Sequence, residues 1–343
     1  MNKKLKQYVP YALALSLAGT ALSAQAATTL RVAHFFPAAS DVNQNLFKAW
    51  ANAVEEDSNG QLRVQMFPSG TLAKADAIYE AAANGIADVG ITVQGYTAGR
   101  FPLTQIVELP GIAPTAAAGA CVLQTLYDEG HLDDEYADTH PLFMFTTGPG
   151  FVHTKDTLVE TPEDLASLRI RRPTSLVGDM LTDMGATPVG MPAPDIYTSM
   201  QRGVIDGVSL PWEGIKTFRL NELATQHTQV PFYSLGLIAT MNQRTYDRLS
   251  PEEKAAIDAN SGMKWAENAG EVFNELDRQG KEEAVEAGHT ILEIEEPLEN
   301  PDWQGPLTAG IESYLGKLEE RGLPAREVYQ AAQAASNACT SGQ

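Results

Sequence analysis

Hydrophobic and polar positions alternate with two clear periods along the chain, and the order of those periods is informative. Leu30-Arg31-Val32-Ala33-His34-Phe35-Phe36 reads as a strand. Leu46, Phe47, Trp50 and Val54 then recur at helical spacing, and Asn59-Gly60 stops the helix. Leu62 to Phe67 alternates as a second strand, closed by the turn residues Pro68-Ser69-Gly70. A helix carrying Ile78 and the alanines 81–83 ends at Gly85, and Val89 to Val93 is apolar enough for a buried strand. This βαβαβ order predicts the first half of an open α/β sheet. Such sheets bind ligands beyond the carboxyl ends of their strands. Phe35 and Phe36 lie at one such end, Gln94 and Tyr96 at another, so all four are candidate ligand contacts.

A second unit follows. Thr161-Pro162-Glu163-Asp164 combines an N-cap residue, a proline and acids, which predicts a helix start. Leu168 to Arg171 has period two, with Leu168 and Ile170 on one face and Arg169 and Arg171 on the other. A helix is expected over 175–184, a short strand over 189–191, a helix over 195–201, and a strand after Val204. Ser250-Pro251-Glu252-Glu253 is a capping box that opens a long helical region to Gly288, with a break expected near Ser261-Gly262. A last strand over 290–294 and helices near 303–321 and 325–336 complete the pattern. The expected fold is two-domain α/β. It has an N-terminal domain over 27–150 with later returning segments, a second domain over 151–245, and bridging helices with a returning strand over 246–343.

The first 26 residues stand apart. Lys3, Lys4 and Lys6 precede an apolar run from Tyr11 to Leu22, and Ala24-Gln25-Ala26 has the A-x-A form of a cleavage site. The run is about a dozen residues, short of the roughly 20 that span a bilayer. A cleaved export signal is expected, which places the mature chain outside the cytoplasm in soluble form.

The length of 343 residues suggests about two domains at roughly 100–200 residues each. With 24 Lys+Arg against 44 Asp+Glu, the net charge of −20 repels phosphate and argues against nucleic acid or an anionic membrane as partner. Cys121 and Cys339 have no metal-ligand spacing, which excludes zinc-ribbon, iron–sulfur and CxxC redox sites. An exported chain with one even pair of cysteines is expected to join them, the alternative being two unpaired thiols. No nucleophile elbow, HExxH, Walker loop or GxGxxG occurs. His34 and His153 lie near candidate loops and read as structural or rim residues rather than catalysts. No cofactor or metal is expected.

Three segments carry a resemblance to a known family. "MFPSGTLAKADAIYEAAANGIADVG" (66–90), "TPEDLASLRIRRP" (161–173) and "MGATPVGMPAPDIYTSMQRGVIDGVSLPW" (184–212) resemble, in the same order, segments of the DctP-type solute-binding proteins of tripartite ATP-independent periplasmic (TRAP) transporters. The resemblance spans essentially the mature chain. It implies a periplasmic-binding-protein-like fold with a ligand cleft between its domains, a periplasmic location, a small organic acid as ligand, and handover to membrane permease subunits. The protein is expected to be a monomer and not an enzyme. An ABC-type binding protein and a secreted α/β enzyme are the rival readings.

The family's ligand arginine falls at Arg171, a planar fork suited to a carboxylate. Its alternative role is a structural salt bridge. The chain departs from the family pattern around the far end of the ligand. Phe151 stands where many sialic-acid-type relatives carry a second arginine, Leu210 replaces a frequent asparagine, and Ala193 replaces a bulky aromatic. Trp212 and Glu213 follow Pro211 in place of a small polar pair. Such a wall would leave the hydroxyls of a sugar acid unpaired at about 1–3 kcal/mol each. It suits a 2-oxo or 2-hydroxy monocarboxylate with an apolar or aromatic tail. Core packing is the competing role for Phe151 and Trp212.

Overall fold

The computed structural model describes residues 27–341. The expected export signal, residues 1–26, lies outside them. The strands are β1 (Thr28–His34), β2 (Leu62–Phe67), β3 (Val89–Val93), β4 (Thr139–Thr146), β5 (Gly150–Thr154), β6 (Arg169–Arg172), β7 (Thr187–Gly190), β8 (Gly207–Leu210), β9 (Gln226–Tyr233), β10 (Gly236–Asn242) and β11 (Thr290–Glu293). The α-helices are α1 (Lys48–Asp57), α2 (Ile78–Ala83), α3 (Ala116–Asp128), α4 (Ser175–Asp183), α5 (Ile196–Gln201), α6 (Trp212–Thr217), α7 (Gln243–Arg248), α8 (Pro251–Ala259), α9 (Met263–Glu286), α10 (Gln304–Glu320) and α11 (Ala325–Ser341).

Two sheets result. The first has the order β2-β1-β3-β10-β4, the second β11-β9-β5-β8-β6-β7. β1, β2 and β3 are parallel, as a βαβαβ pattern requires, while β10 runs antiparallel between β3 and β4. The returning strand β10 therefore belongs to the first domain, and the second domain ends before residue 236 rather than at 245. β11 returns to the second sheet, parallel to β9. The helix expected at Thr161 is one 3₁₀ turn, Pro162–Leu165, with its capping box intact. Ser167 adopts a left-handed φ of 71° directly after it and turns the chain into β6. Gly262, with φ 68°, separates α8 from α9 where a break was expected. The last helix runs on to Ser341.

Three segments cross between the domains: the β4–β5 link through Gly148, the β9–β10 link through Ser234, and α9. A Cβ on Gly148 would collide with the Asp277 carboxylate, and one on Gly150 with the Tyr233 ring, so both links pass as close as glycine allows. Helix α9 packs on α3 of the first domain and α6 of the second, and Gly270 and Gly280 permit those backbone approaches. It also caps both helices. Asn274 accepts the Ala116 and Ala117 amides at 2.8 and 3.3 Å, and Asp277 accepts the Glu213 amide at 2.6 Å. One helix thus fixes a reference frame for each domain.

Cys121 on α3 and Cys339 on α11 are joined, with Cα atoms 6.0 Å apart and a sequence separation of 218. Closing so long a loop restricts the unfolded chain, by about 3–5 kcal/mol in the chain-entropy view. Cys339→Ser is expected to lower the unfolding free energy by that order, and reductant to do the same to the parent chain. Denaturant melts with and without reductant test this, and coincident melts would exclude the bond.

Candidate functional site

Arg171 sits on β6, opposite Val208 of β8 in parallel register, and is fully buried. Its Nε donates to the Met191 carbonyl at 2.9 Å, Nη1 to the Ser209 carbonyl at 3.1 Å and Nη2 to the Tyr96 hydroxyl at 3.2 Å. A guanidinium has five N–H donors, so one remains on each Nη. Among the described residues no carboxylate forms an ion pair with Arg171. Its neighbours are committed elsewhere. Arg169 pairs with Asp206 at 2.6 Å, clamping β6 beside β8, and Arg172 packs over Gly178 and Gly190.

Tyr96 comes from the first domain. Its oxygen accepts from Arg171 and from the Ala193 amide at 3.1 Å, which leaves its own proton free. Other groups also meet across the cleft. Thr174 Oγ1 donates to Glu108 at 3.2 Å, Lys216 faces Asp41 at 3.5 Å, and the Phe36 and Phe218 rings lie 6.4 Å apart. The two domains are therefore in contact around Arg171.

Of the residues singled out in the sequence, Phe35 and Phe36 stack at 4.3 Å, and Phe35 reaches Tyr96 at 5.5 Å. Phe151 and Leu210 are register partners on β5 and β8, both buried. Gln94 is buried beside Tyr96 and donates from Nε2 to the Tyr136 hydroxyl at 2.6 Å. Two candidates have other partners. The Trp212 ring packs on His153 and His227 at 4.9 and 4.8 Å, and its Nε1 donates to Gln229 at 3.1 Å. The Glu213 carboxyl accepts from Thr217 of its own helix, and its backbone amide donates to Asp277 of α9. Both side chains belong to the packing of the second domain under α9. His153 is structural: its ring bonds His227 at 2.7 Å and the Leu210 carbonyl at 2.9 Å, and burial lowers its pKa to about 4.

Sequence patterns did not single out Glu108, Thr174, Ser209, Phe218 or Tyr233: Ser209 on β8 and Thr174 just beyond β6 lie beside Arg171 in the second domain, and Glu108 meets Thr174 from the first domain. Tyr233 lies among Arg171, Ser209, Tyr96 and Glu108. Two recesses open where the domains meet. One, about 230 Å³, is lined by residues including Gly95, Tyr96, Thr174 and Met191; the other, about 500 Å³, by Pro37, Asp41, Tyr197, Lys216 and Phe218 among others. A larger open groove of about 790 Å³ lies beside α11, with Arg100, Glu135 and Arg321 on its walls, and shares none of the Arg171 contacts. Among the described residues no group of His, Cys, Asp and Glu could hold a metal, and no helix is long and apolar enough to cross a membrane.

The sequence profile described as bacterial extracellular solute-binding protein, family 7 (DctP), matches residues 32–307. The chain belongs to that family. It is a family of binding proteins, not of enzymes. A TRAP solute-binding protein from Rhodoferax ferrireducens T118, crystallised with copurified benzoate, superposes with a TM-score of 0.87 at 32% identity, covering 92% of this chain and 99% of that one. A marine-metagenome TRAP solute-binding protein specific for aromatic acids, crystallised with 3-hydroxybenzoate, gives 0.85 at 30%, covering 91% and 98%. The ectoine-binding periplasmic protein TeaA of Halomonas elongata is 31% identical over 228 residues, 63% of this chain and 64% of that one. The match therefore spans less than two thirds of the TeaA chain's length.

Burial pushes the carboxyls of Glu108 and Asp277 up to about 8 and that of Glu213 up to about 7. Each binds its proton more tightly in the folded chain than in the unfolded one, whose carboxyls titrate near pH 4. Stability from these groups is complete below that pH and is lost as pH rises toward 8. Thermal melts of this family-7 protein are expected to fall between pH 5 and pH 8, and to fall less in Asp277→Asn. A melting point that climbs across that window would contradict the assignment.

Proposed function

We propose that this protein captures a small aromatic monocarboxylate in the periplasm and delivers it to the membrane permease of a TRAP transporter. The observation that carries the reading is Arg171: fully buried, two N–H donors unused, no anionic partner. A buried cation without a counter-charge is costly, and a ligand carboxylate meets that need. The apolar surroundings support the rest. Phe35, Phe36, Phe151 and Leu210 are buried, and none offers a side-chain donor or acceptor to the hydroxyls of a sugar acid. The relatives bound to benzoate and 3-hydroxybenzoate, which share 32% and 30% identity with this chain, point the same way. The flat ring of an aromatic acid suits stacked phenylalanines better than the branched tail of a 2-oxo acid does. The permease and the periplasm are inferred from membership of the family.

Titration calorimetry tests the anchor. Arg171→Ala is expected to weaken benzoate binding by about 2–5 kcal/mol, the cost of removing one side of a buried charge-assisted pair. Arg171→Lys keeps the charge and loses the fork, so a substantial loss is expected there too. Near-parental affinity in both variants would remove Arg171 from the site. Stabilisation by glucuronate or succinate alone, with none by benzoate, would overturn the aromatic class.

A further inference from the structure

Among the buried side-chain atoms without a hydrogen-bond partner are Gln94 Oε1, Glu108 Oε1 and Tyr233 Oη, and Tyr233 lies among Arg171, Tyr96 and Glu108. Gln94 and Glu108 are fully buried, and such groups are rarely left unsatisfied. They are adjacent. Gly236 separates them, with its missing Cβ leaving room for the Gln94 carbonyl and its amide beside the Glu108 carboxyl. Gly95 packs against Thr174, which bonds Glu108 and lies three residues beyond Arg171.

The orientation of Gln94 is set from a distance. Glu135 accepts the Leu103 and Thr104 amides at 2.7 and 2.9 Å and the Thr104 hydroxyl at 2.6 Å. Thr104 has one proton, and Glu135 takes it. The Tyr136 hydroxyl, 2.8 Å away, must then donate to Thr104. Tyr136 can only accept from Gln94, so the amide nitrogen points to Tyr136 and the carbonyl Oε1 is turned outward as an acceptor. Glu108 is fixed in a similar way. Its Oε2 is engaged by Gln105 at 3.1 Å and by the Thr174 hydroxyl at 3.2 Å, which leaves Oε1 as the oxygen turned to other partners. Burial favours a proton on the carboxyl. A neutral carboxyl is also what a chamber receiving an anion requires, since a second buried carboxylate would repel the first.

We infer that Glu108 and Gln94 form a hydroxyl-recognition subsite: Glu108 Oε1–H donates to, and Gln94 Oε1 accepts from, a hydroxyl group on the same ligand whose carboxylate meets Arg171. This rests on the carboxylate reading above and adds a second determinant, a preference for hydroxylated over unsubstituted aromatic acids. An unsubstituted ring would leave the acid and the amide unpaired, and sites built to bond a hydroxyl discriminate strongly against its absence.

Calorimetry with benzoate, its three monohydroxy isomers and the corresponding methyl ethers tests the subsite in the parent protein. At least one hydroxybenzoate is expected to bind ten-fold or more tighter than benzoate, and its methyl ether, which cannot donate to Gln94, to lose that gain. In Gln94→Met and Glu108→Met the ratio of hydroxybenzoate to benzoate affinity should fall from ten-fold or more to about one, whatever the absolute affinity for benzoate. Glu108→Gln, which keeps a donor at the same place, should retain the preference. If benzoate binds as tightly as every hydroxy isomer, or if both Met variants keep the preference, the subsite is excluded and the Arg171 reading stands. If none of these carboxylates binds, the Arg171 reading fails and the subsite with it.

Discussion

Everything at the domain interface is arranged around one uncompensated charge. The Arg171 guanidinium has no exposure, and the groups that touch it are two backbone carbonyls and a phenol. Those dipoles orient the fork and cannot neutralise it. In the proposed function its two remaining N–H groups are where the ligand carboxylate would sit, in a low local dielectric that strengthens the interaction relative to water. The carbonyls of Met191 and Ser209 belong to the second domain, whereas Tyr96 belongs to the first. The three hydrogen bonds to the arginine thus need both domains in contact, so under that reading anion binding would favour the form in which the domains meet.

The mechanical side of that coupling lies in α9 and the two strand crossings. Asn274 and Asp277 are less than a helical turn apart on one helix, and each caps a helix of a different domain. Movement of one domain against the other must be absorbed close to these residues or in the short links through Gly148 and Ser234. The buried carboxyls of Glu213 and Asp277 meet at the same place, and burial raises both pKa values. Protonation of either acid would relieve the repulsion between them, so the contact between α6 and α9 at this point is sensitive to pH.

Much of this was legible in the sequence where the signal was local. The period-two run at Arg169–Arg171, the capping box at Ser250 and the βαβαβ order all have short-range causes, and the corresponding elements form, whereas the helix start at Thr161 yields only one 3₁₀ turn. The placement of β10 was not legible, because its position between β3 and β4 depends on chain segments about 100 and 150 residues distant. The same reason hid Glu108 and Tyr233, whose importance comes from what the crossings bring beside them. Trp212 shows two environments on one ring: Gln229 and two histidines hold it inside the second domain, while Phe151 of the proposed binding wall lies 6.4 Å away.

The net charge of −20 bears on how the site works. A strongly acidic surface repels an approaching organic anion, which argues against long-range steering as the source of recognition. At physiological salt that repulsion is screened beyond roughly 8 Å. At the buried Arg171 solvent screening is weak, so under the proposed function affinity would rest on short-range geometry: the unused N–H groups of the guanidinium, the Tyr96 proton and the stacked rings of Phe35 and Phe36. That reading separates a repulsive exterior from a cationic interior, so an acid would gain its interaction at the buried arginine and not at the surface.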